Sequence, residues 1–218
     1  MKTVLKGMFT LAVIMVMPVL LPAQDKDKAM DNAKAKSKAA MPADNSSMPM
    51  PKPDPQMTKL IKMMSGTWST TEKSQPSPMM PKGGTGKGTA TFTPGPGGLS
   101  LVEKYHSSGL MGGAFNGLGL FWWDSKSQLY KGVWCDSMTP GGCDGSGSTK
   151  WEGDNLVGTM EGEMNGQKMM STFTYTDWKP NSFVMKMAMG PDASSLKEAM
   201  TITYTRVGAA MKAEKASQ

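Results

Sequence analysis

The sequence predicts an all-β protein, an up-and-down antiparallel barrel of about ten strands preceded by one short helix. From residue 66 onward, short runs rich in β-branched, aromatic and Met residues alternate with turns that contain Gly, Pro, Asn or Asp. About ten such runs follow one another, so strands adjacent in sequence are expected to pair in the sheet. Closure into a barrel is favoured because it removes the exposed edges of a long sheet.

The N-terminal residues 1–23 have the features of a secretory signal peptide. Lys2 and Lys6 precede an apolar run over 8–21, and Ala23 supplies a small residue at a suitable cleavage point. The apolar run is broken by a proline and is shorter than the about 20 residues of a membrane span, so no transmembrane segment is expected. We therefore expect a periplasmic or secreted protein.

The composition divides the rest of the chain into three parts. Residues 24–56 are small, charged and Pro-rich and contain no aromatic residue. Such a segment buries too little apolar surface to offset its ordering entropy, which predicts a disordered linker. Residues 57–208 are predicted to form the barrel domain with its helix, and residues 209–218 a flexible C-terminal tail.

The helix is predicted from apolar spacing at the start of the domain. Met57, Leu60, Ile61 and Met64 lie at i, i+3, i+4 and i+7, which gives one apolar helix face. Gly66 follows at a position where a glycine commonly ends a helix. The strands that follow are predicted at residues 66–73, 86–93, 99–107, 114–123, 128–136, 146–152, 155–162, 167–177, 181–189 and 199–207.

Four stretches together resemble a family described as domain of unknown function 1579. They are MSGTWS, GTATFTPGPGGLSLVEKY, FNGLGLFWWDSKSQLYKGVWCDS and GDNLVGTM. The helix followed by Gly66–Trp68 is also similar to the Gly-x-Trp start of the calycins, the lipocalin and fatty-acid-binding-protein barrels. The resemblance covers residues 57–207 and implies a calycin-like barrel in a secreted bacterial protein, without an established activity to transfer.

Nitrobindin-type haem barrels share the early Gly-x-Trp but hold their iron through a histidine in the C-terminal part. The single histidine of this chain, His106, lies near its middle. We therefore expect no haem and no other cofactor.

Strand alternation predicts which side chains face the barrel lumen. A lysine marks the outer face and fixes the orientation of its neighbours. The ligand-binding candidates chosen in this way are Glu103, Tyr105, Tyr130, Trp134, Asp136, Phe173, Tyr175, Met185 and Met187. A few polar groups in an apolar lumen are typical of a small-molecule pocket, although these side chains could also simply fill the barrel.

Three functions remain open from the sequence. Binding of a small, mostly apolar ligand in the lumen is favoured. A hydrolase that uses Glu103 and Asp136 as a carboxylate pair is a further alternative. No nucleophile lies beside a base, and no histidine cluster or phosphate-binding loop is present, so catalysis is not favoured. Nucleic-acid binding is not expected, because residues 57–210 contain 14 basic and 12 acidic residues without a basic cluster.

The 24 methionines suggest the remaining function, handling of a soft metal such as Cu(I). Met48 and Met50 in the linker and the MKMAM segment at 185–189 are the candidate ligands. The favoured interpretation of the methionines is that they replace Leu as adaptable packing residues throughout the chain.

Two further pairs are predicted to be structural. Arg206 is the only arginine and lies in the last strand. By similarity to lipocalins it packs across Trp68, and by similarity to fatty-acid-binding proteins it could instead hold a ligand carboxylate. Cys135 and Cys143 flank a Pro-Gly-Gly turn, and a disulfide is favoured over free thiols or a metal site, with Cα atoms about 5–6 Å apart.

Overall fold

The computed structural model describes residues 49–77, 80–110, 113–143, 145–164 and 166–208. The predicted signal peptide, the linker up to and including Met48, and the predicted C-terminal tail lie outside these residues, and those predictions stay untested. No helix in the described part of the chain is long and apolar enough to span a membrane.

The one α-helix of the described residues, α1, spans Pro55–Met64. It begins inside the segment predicted as linker, because Asp54 caps it by accepting a hydrogen bond from the Gln56 amide at 2.8 Å, and proline suits the first helical position. The apolar face forms as predicted, with Met57 and Met64 among its buried residues.

Ten strands follow α1, all with bounds within two residues of the predicted ones. They are β1 (Gly66–Ser74), β2 (Gly84–Pro94), β3 (Ser100–Ser108), β4 (Ala114–Asp124), β5 (Leu129–Asp136), β6 (Gly145–Glu152), β7 (Asn155–Met164), β8 (Gln167–Lys179), β9 (Ser182–Gly190) and β10 (Lys197–Arg206). A 3₁₀ turn at Pro96–Gly98 joins β2 to β3.

The strands form a closed barrel in which every strand pairs antiparallel with its neighbours in sequence. β1 pairs with β10 from Trp68↔Arg206 to Ser74↔Met200 and closes the sheet. The predicted ten-stranded up-and-down barrel with one preceding helix is therefore confirmed.

The hydrophobic core fills the end of the barrel that α1 covers. Trp68, Phe92, Leu101 and Phe183 are at most 1 % exposed there and pack with the buried face of α1. Two hydrogen bonds fix the helix to the barrel. The Trp68 indole N–H donates to the Met64 carbonyl at 2.8 Å, and the Tyr130 hydroxyl donates to the Gln56 carbonyl at 2.8 Å. The opposite end, where β1 ends and β10 begins, is called the far end below.

Candidate functional site in the barrel lumen

The half of the lumen next to α1 contains one small cavity. Between α1 and the barrel, the cavity has a volume of only about 10 Å³, at the lower limit for one water molecule. It is lined by Leu60, Met64, Phe121, Tyr130, Thr149, Leu156, Phe173 and Tyr175. In this half the side chains fill the barrel, which leaves no room for an organic ligand.

In the far half, inward-facing apolar side chains keep contact with solvent. Phe115 and Trp134 are only partly buried, and so are Met187 and Met200. Burial of this apolar surface would be favourable by about 25 cal/mol per Å², yet the chain itself does not complete it. The far half of the lumen is therefore the candidate binding site.

A group of side chains with carboxyl and hydroxyl groups lies buried in the lumen, next to these partly exposed side chains. We call Glu72, Glu103, Tyr105, Tyr175 and Tyr204 the acid–phenol cluster. Glu72 is 1 % exposed and Glu103 is 3 % exposed. The Tyr105 hydroxyl donates a hydrogen bond of 2.5 Å to Glu72 Oε1. Gly86, opposite Glu72, leaves room for this carboxyl group, because a Cβ there would lie 2.6 Å from Glu72 Oε2.

Glu103 differs from Glu72 because no side-chain hydrogen bond to it is found among the described residues. Its cross-strand partner on β4 is Gly119, which has no side chain to donate a hydrogen bond. Burial raises the pKa of Glu103 from 4.5 to about 8, so its carboxyl is mostly protonated at neutral pH. A strongly perturbed acid in a lumen is a recognised indicator of a functional site.

The phenols around Glu103 are held in their neutral form. Burial raises the pKa of Tyr175 and Tyr204 well above the usual value, and the charge of Glu103 raises both further. Burial and the hydrogen bond to Glu72 also raise the pKa of Tyr105. The cluster therefore presents neutral hydroxyl groups throughout the physiological pH range.

The rings of Tyr105, Phe115 and Trp134 lie together at the far end, and we call them the aromatic trio. The Tyr105 ring centroid lies 6.1 Å from Phe115 and 6.4 Å from Trp134. Phe115 and Trp134 are stacked with centroids 6.5 Å apart. Gly117, between Phe115 and Gly119 on β4, has no Cβ and lets the Trp134 ring lie against the barrel wall. Since Tyr105 belongs to both groups, the trio is linked directly to the acid–phenol cluster.

Methionines occupy the neighbouring part of the lumen wall. Met187 on β9 and Met200 on β10 are direct cross-strand partners and both are partly buried. Met185, two residues before Met187 on the same face, is 9 % exposed. Thioether side chains are flexible and polarisable, so this wall can adjust to a ligand of irregular shape.

Asp136 has a different environment from the one predicted for a lumen acid. Its Oδ2 accepts hydrogen bonds from Trp134 Nε1 and the Thr139 hydroxyl, both at 3.0 Å. Its Oδ1 accepts from the amides of Met138 and Thr139, both at 2.8 Å. Both oxygens are thus engaged in orienting Trp134 and the following loop. The second buried carboxylate of the lumen is Glu72, not Asp136.

Cys135 and Cys143 form a disulfide that closes this same loop. Their Cα atoms are 3.9 Å apart, closer than expected, because the Asp136 amide donates to the Gly142 carbonyl at 2.9 Å and draws the two sides together. The bridge and Asp136 together hold the segment next to the aromatic trio.

Arg206 lies at the α1 end with Trp68. Its guanidinium carbon is 4.0 Å from the centre of the Trp68 ring, and its Nη1 donates to the Ser65 carbonyl at 2.8 Å. Nε donates to the Pro180 carbonyl at 3.2 Å. Of the two roles considered for Arg206, packing across the tryptophan is the one its contacts match.

The remaining sequence candidates fall into two groups. Tyr130 and Phe173 line the filled half next to α1. Met50 is 82 % exposed and lies outside the barrel. Within the described residues, no group of three or more His, Cys, Asp or Glu side chains is placed to hold a metal ion.

Four residues of the site were missed by the sequence reasoning: Glu72, Phe115, Met200 and Tyr204. Alternation from Trp68 in GTWSTTEKS, with Lys73 on the outer face, would have identified Glu72 as inward-facing. Phe115 gives no such signal, because β4 carries apolar residues on both faces and has Leu118 and Leu120 exposed on the outside.

Comparison with known proteins identifies the family of this chain. The model of the family "Protein of unknown function (DUF1579)" matches residues 53–206. The chain belongs to the DUF1579 family. Among curated proteins, none matches its sequence significantly.

This DUF1579 member is also similar to solved structures. The crystal structure of Rv2717c from M. tuberculosis aligns with a TM-score of 0.51 and 10% identity, over 71% of this chain and 99% of that chain. The S-type phycobiliprotein lyase CPES from Guillardia theta aligns with a TM-score of 0.47 and 10% identity, over 68% and 91% of the two chains. At 10% identity, the likeness to Rv2717c concerns the fold alone.

Proposed function

We propose that this DUF1579 protein binds a small, mostly apolar molecule in the far half of its barrel lumen. One observation carries the proposal: partly exposed, inward-facing aromatic and Met side chains stand next to a buried carboxyl group, Glu103, for which no side-chain partner is found among the described residues. Apolar walls with a few fixed polar groups are the usual composition of small-molecule sites. A ligand there would bury the half-exposed rings and give Glu103 a partner.

A fluorescence titration with Nile red, a neutral apolar dye, tests the proposal. We expect saturable one-to-one binding that is lost in Ser171→Trp, because Ser171 faces the lumen between Met160 and Met189 in the register of β7, β8 and β9. Thr172→Trp is the matched control, since the adjacent side chain points to the outer face. Thermal melting checks that both variants fold. Equal dye binding by the two variants, or none by the wild type, would contradict a lumen site.

Soft-metal binding is the second candidate, because Met187 and Met200 are direct cross-strand partners. Cβ atoms of such pairs lie about 4.5–5.5 Å apart, within reach of one ion for flexible thioethers. A Cu(I) competition titration measures the affinity of two double variants. The first carries both Met187→Leu and Met200→Leu, and the second carries both Met48→Leu and Met50→Leu. Loss of affinity in the first variant alone would support a barrel site, and loss in the second alone would place the metal in the predicted linker.

Action outside the cytoplasm is also part of the proposal. The Cys135–Cys143 disulfide supports it, because disulfides persist in oxidising compartments and are rare in the cytosol. Fractionation of the native host, with intact mass of the protein recovered, tests the location. Recovery of the unprocessed chain from the cytoplasm would contradict it.

A further inference from the structure

The far half of the lumen combines aromatic faces with buried acids. The three rings of the aromatic trio have centroids 6.1–6.5 Å apart. Tyr105, one of the three, is hydrogen-bonded to Glu72, and Glu103 lies two residues before it on the same face of β3. The site therefore places π-electron surfaces and two carboxyl groups in one apolar space.

No cationic side chain accompanies these acids in the part of the chain that the structure describes. The one ion pair found there joins Lys150 to Glu152, both about half exposed. The only arginine of the sequence packs on Trp68 at the other end of the barrel. Lys73 and Lys104, which follow the two buried glutamates, are exposed on the outer face. Among the described residues, the two buried acids therefore have no positively charged side-chain partner.

From this arrangement we infer that the ligand is a small organic cation, an ammonium group that carries apolar substituents. The inference rests on the proposed lumen function and names its ligand class. Ring faces attract a cation most strongly where water is excluded, and quaternary ammonium groups are typically bound in this way. The carboxyl groups supply the counter-charge, and the Met187–Met200 wall covers the apolar substituents.

Entry of the cation changes the protonation of the site. Without a bound cation, Glu103 keeps its proton at neutral pH, because burial raises its pKa to about 8. The charge of Glu103 acts on Tyr105 on β3, Tyr175 on β8 and Tyr204 on β10. Glu72 on β1 is hydrogen-bonded to Tyr105, and none of these groups is a cation. A bound ammonium stabilises the carboxylate, so Glu103 releases its proton to solvent and the pair is neutral overall.

Isothermal titration calorimetry of the full chain with two isosteric ligands tests the inference. Choline carries the trimethylammonium group, and 3,3-dimethylbutan-1-ol has the same shape without the charge. We expect choline to bind at least about tenfold more tightly than the alcohol, equivalent to about 1.4 kcal/mol. Glu103→Gln, Trp134→Leu and Phe115→Leu should each remove most of this preference. The control Trp122→Leu changes a ring on the outer face of β4 and should leave it unchanged.

Three outcomes would overturn the inference. Equal affinity for choline and the alcohol would refute a cationic ligand while leaving the lumen site in place. If the wild-type protein binds Nile red but not choline, the cationic ligand is likewise refuted and the lumen site remains. If Trp122→Leu loses as much choline affinity as the lumen variants, choline binds on the outer face and not in the lumen. If the wild-type protein binds neither choline nor Nile red, the proposed lumen function itself is refuted.

Discussion

Replacing Glu103 by Gln tests the account of the lumen most directly. Glu103 is 3 % exposed, and burial raises its pKa from 4.5 to about 8. The folded state therefore holds this proton more tightly than the unfolded state. Stability linked to the group is fully present below about pH 4.5 and is lost as the pH rises through about 8.

The size of the effect follows from the two pKa values. At about 1.4 kcal/mol per pKa unit, the change from 4.5 to about 8 corresponds to about 5 kcal/mol of lost stability between acid and alkaline pH. This is a large part of the total stability of a typical domain, about 5–15 kcal/mol. Gln cannot ionise, so Glu103→Gln should be little changed near pH 4 and more stable than the wild type at pH 9 by several kcal/mol.

Urea denaturation of both proteins between pH 4 and 9 provides the measurement. The difference between the two unfolding free energies isolates Glu103 from every other titrating group. Glu161→Gln, at an exposed position on the outer face of β7, is the matched control and should follow the wild type at all pH values. Parallel curves for wild type and Glu103→Gln would show that Glu103 is ionised in the folded protein, and the reasoning about its burial would then be wrong.

Three further substitutions test single contacts, each by urea denaturation and thermal melting. Replacing both cysteines by serine should cost about 2–3 kcal/mol on the chain-entropy model and lower the melting temperature by roughly 5–10 °C without loss of the fold; an unchanged melting temperature would contradict this. Arg206→Met should cost about 2–3 kcal/mol, because it removes the contact with Trp68 and two hydrogen bonds, and Arg206→Lys should recover part of the loss. Equal stability of the two variants would argue against the ring contact. Tyr105→Phe should cost about 1–3 kcal/mol, because Glu72 loses its buried donor, and a neutral result would show that Glu72 finds another partner.

The fold could be predicted from the sequence because its signals are local. Turn residues recur between short strands, and the spacing of Met57, Leu60 and Met64 marks the helix within a few residues. Side-chain direction in a strand is also local, so a lysine such as Lys104 fixes Glu103 and Tyr105 as inward-facing. The cysteine pair was predictable for the same reason, because a short turn brings its two sides together whatever the rest of the chain does.

The candidate site could be predicted only in part, because distance across a closed barrel is not encoded in any one segment. Alternation predicted Asp136 as a second inward-facing acid. Its oxygens are bonded to loop amides and to Trp134, and the sequence reasoning did not identify Glu72 from β1, which is buried like Glu103. The tertiary structure alone decided that α1 fills one half of the lumen and leaves the rings of Phe115 and Trp134 partly open in the other. The sequence by itself thus determined strand order and facing, which depend on neighbours along the chain. The burial and the raised pKa of Glu103 were decided by closure, which brings distant strands around one space from which water is excluded.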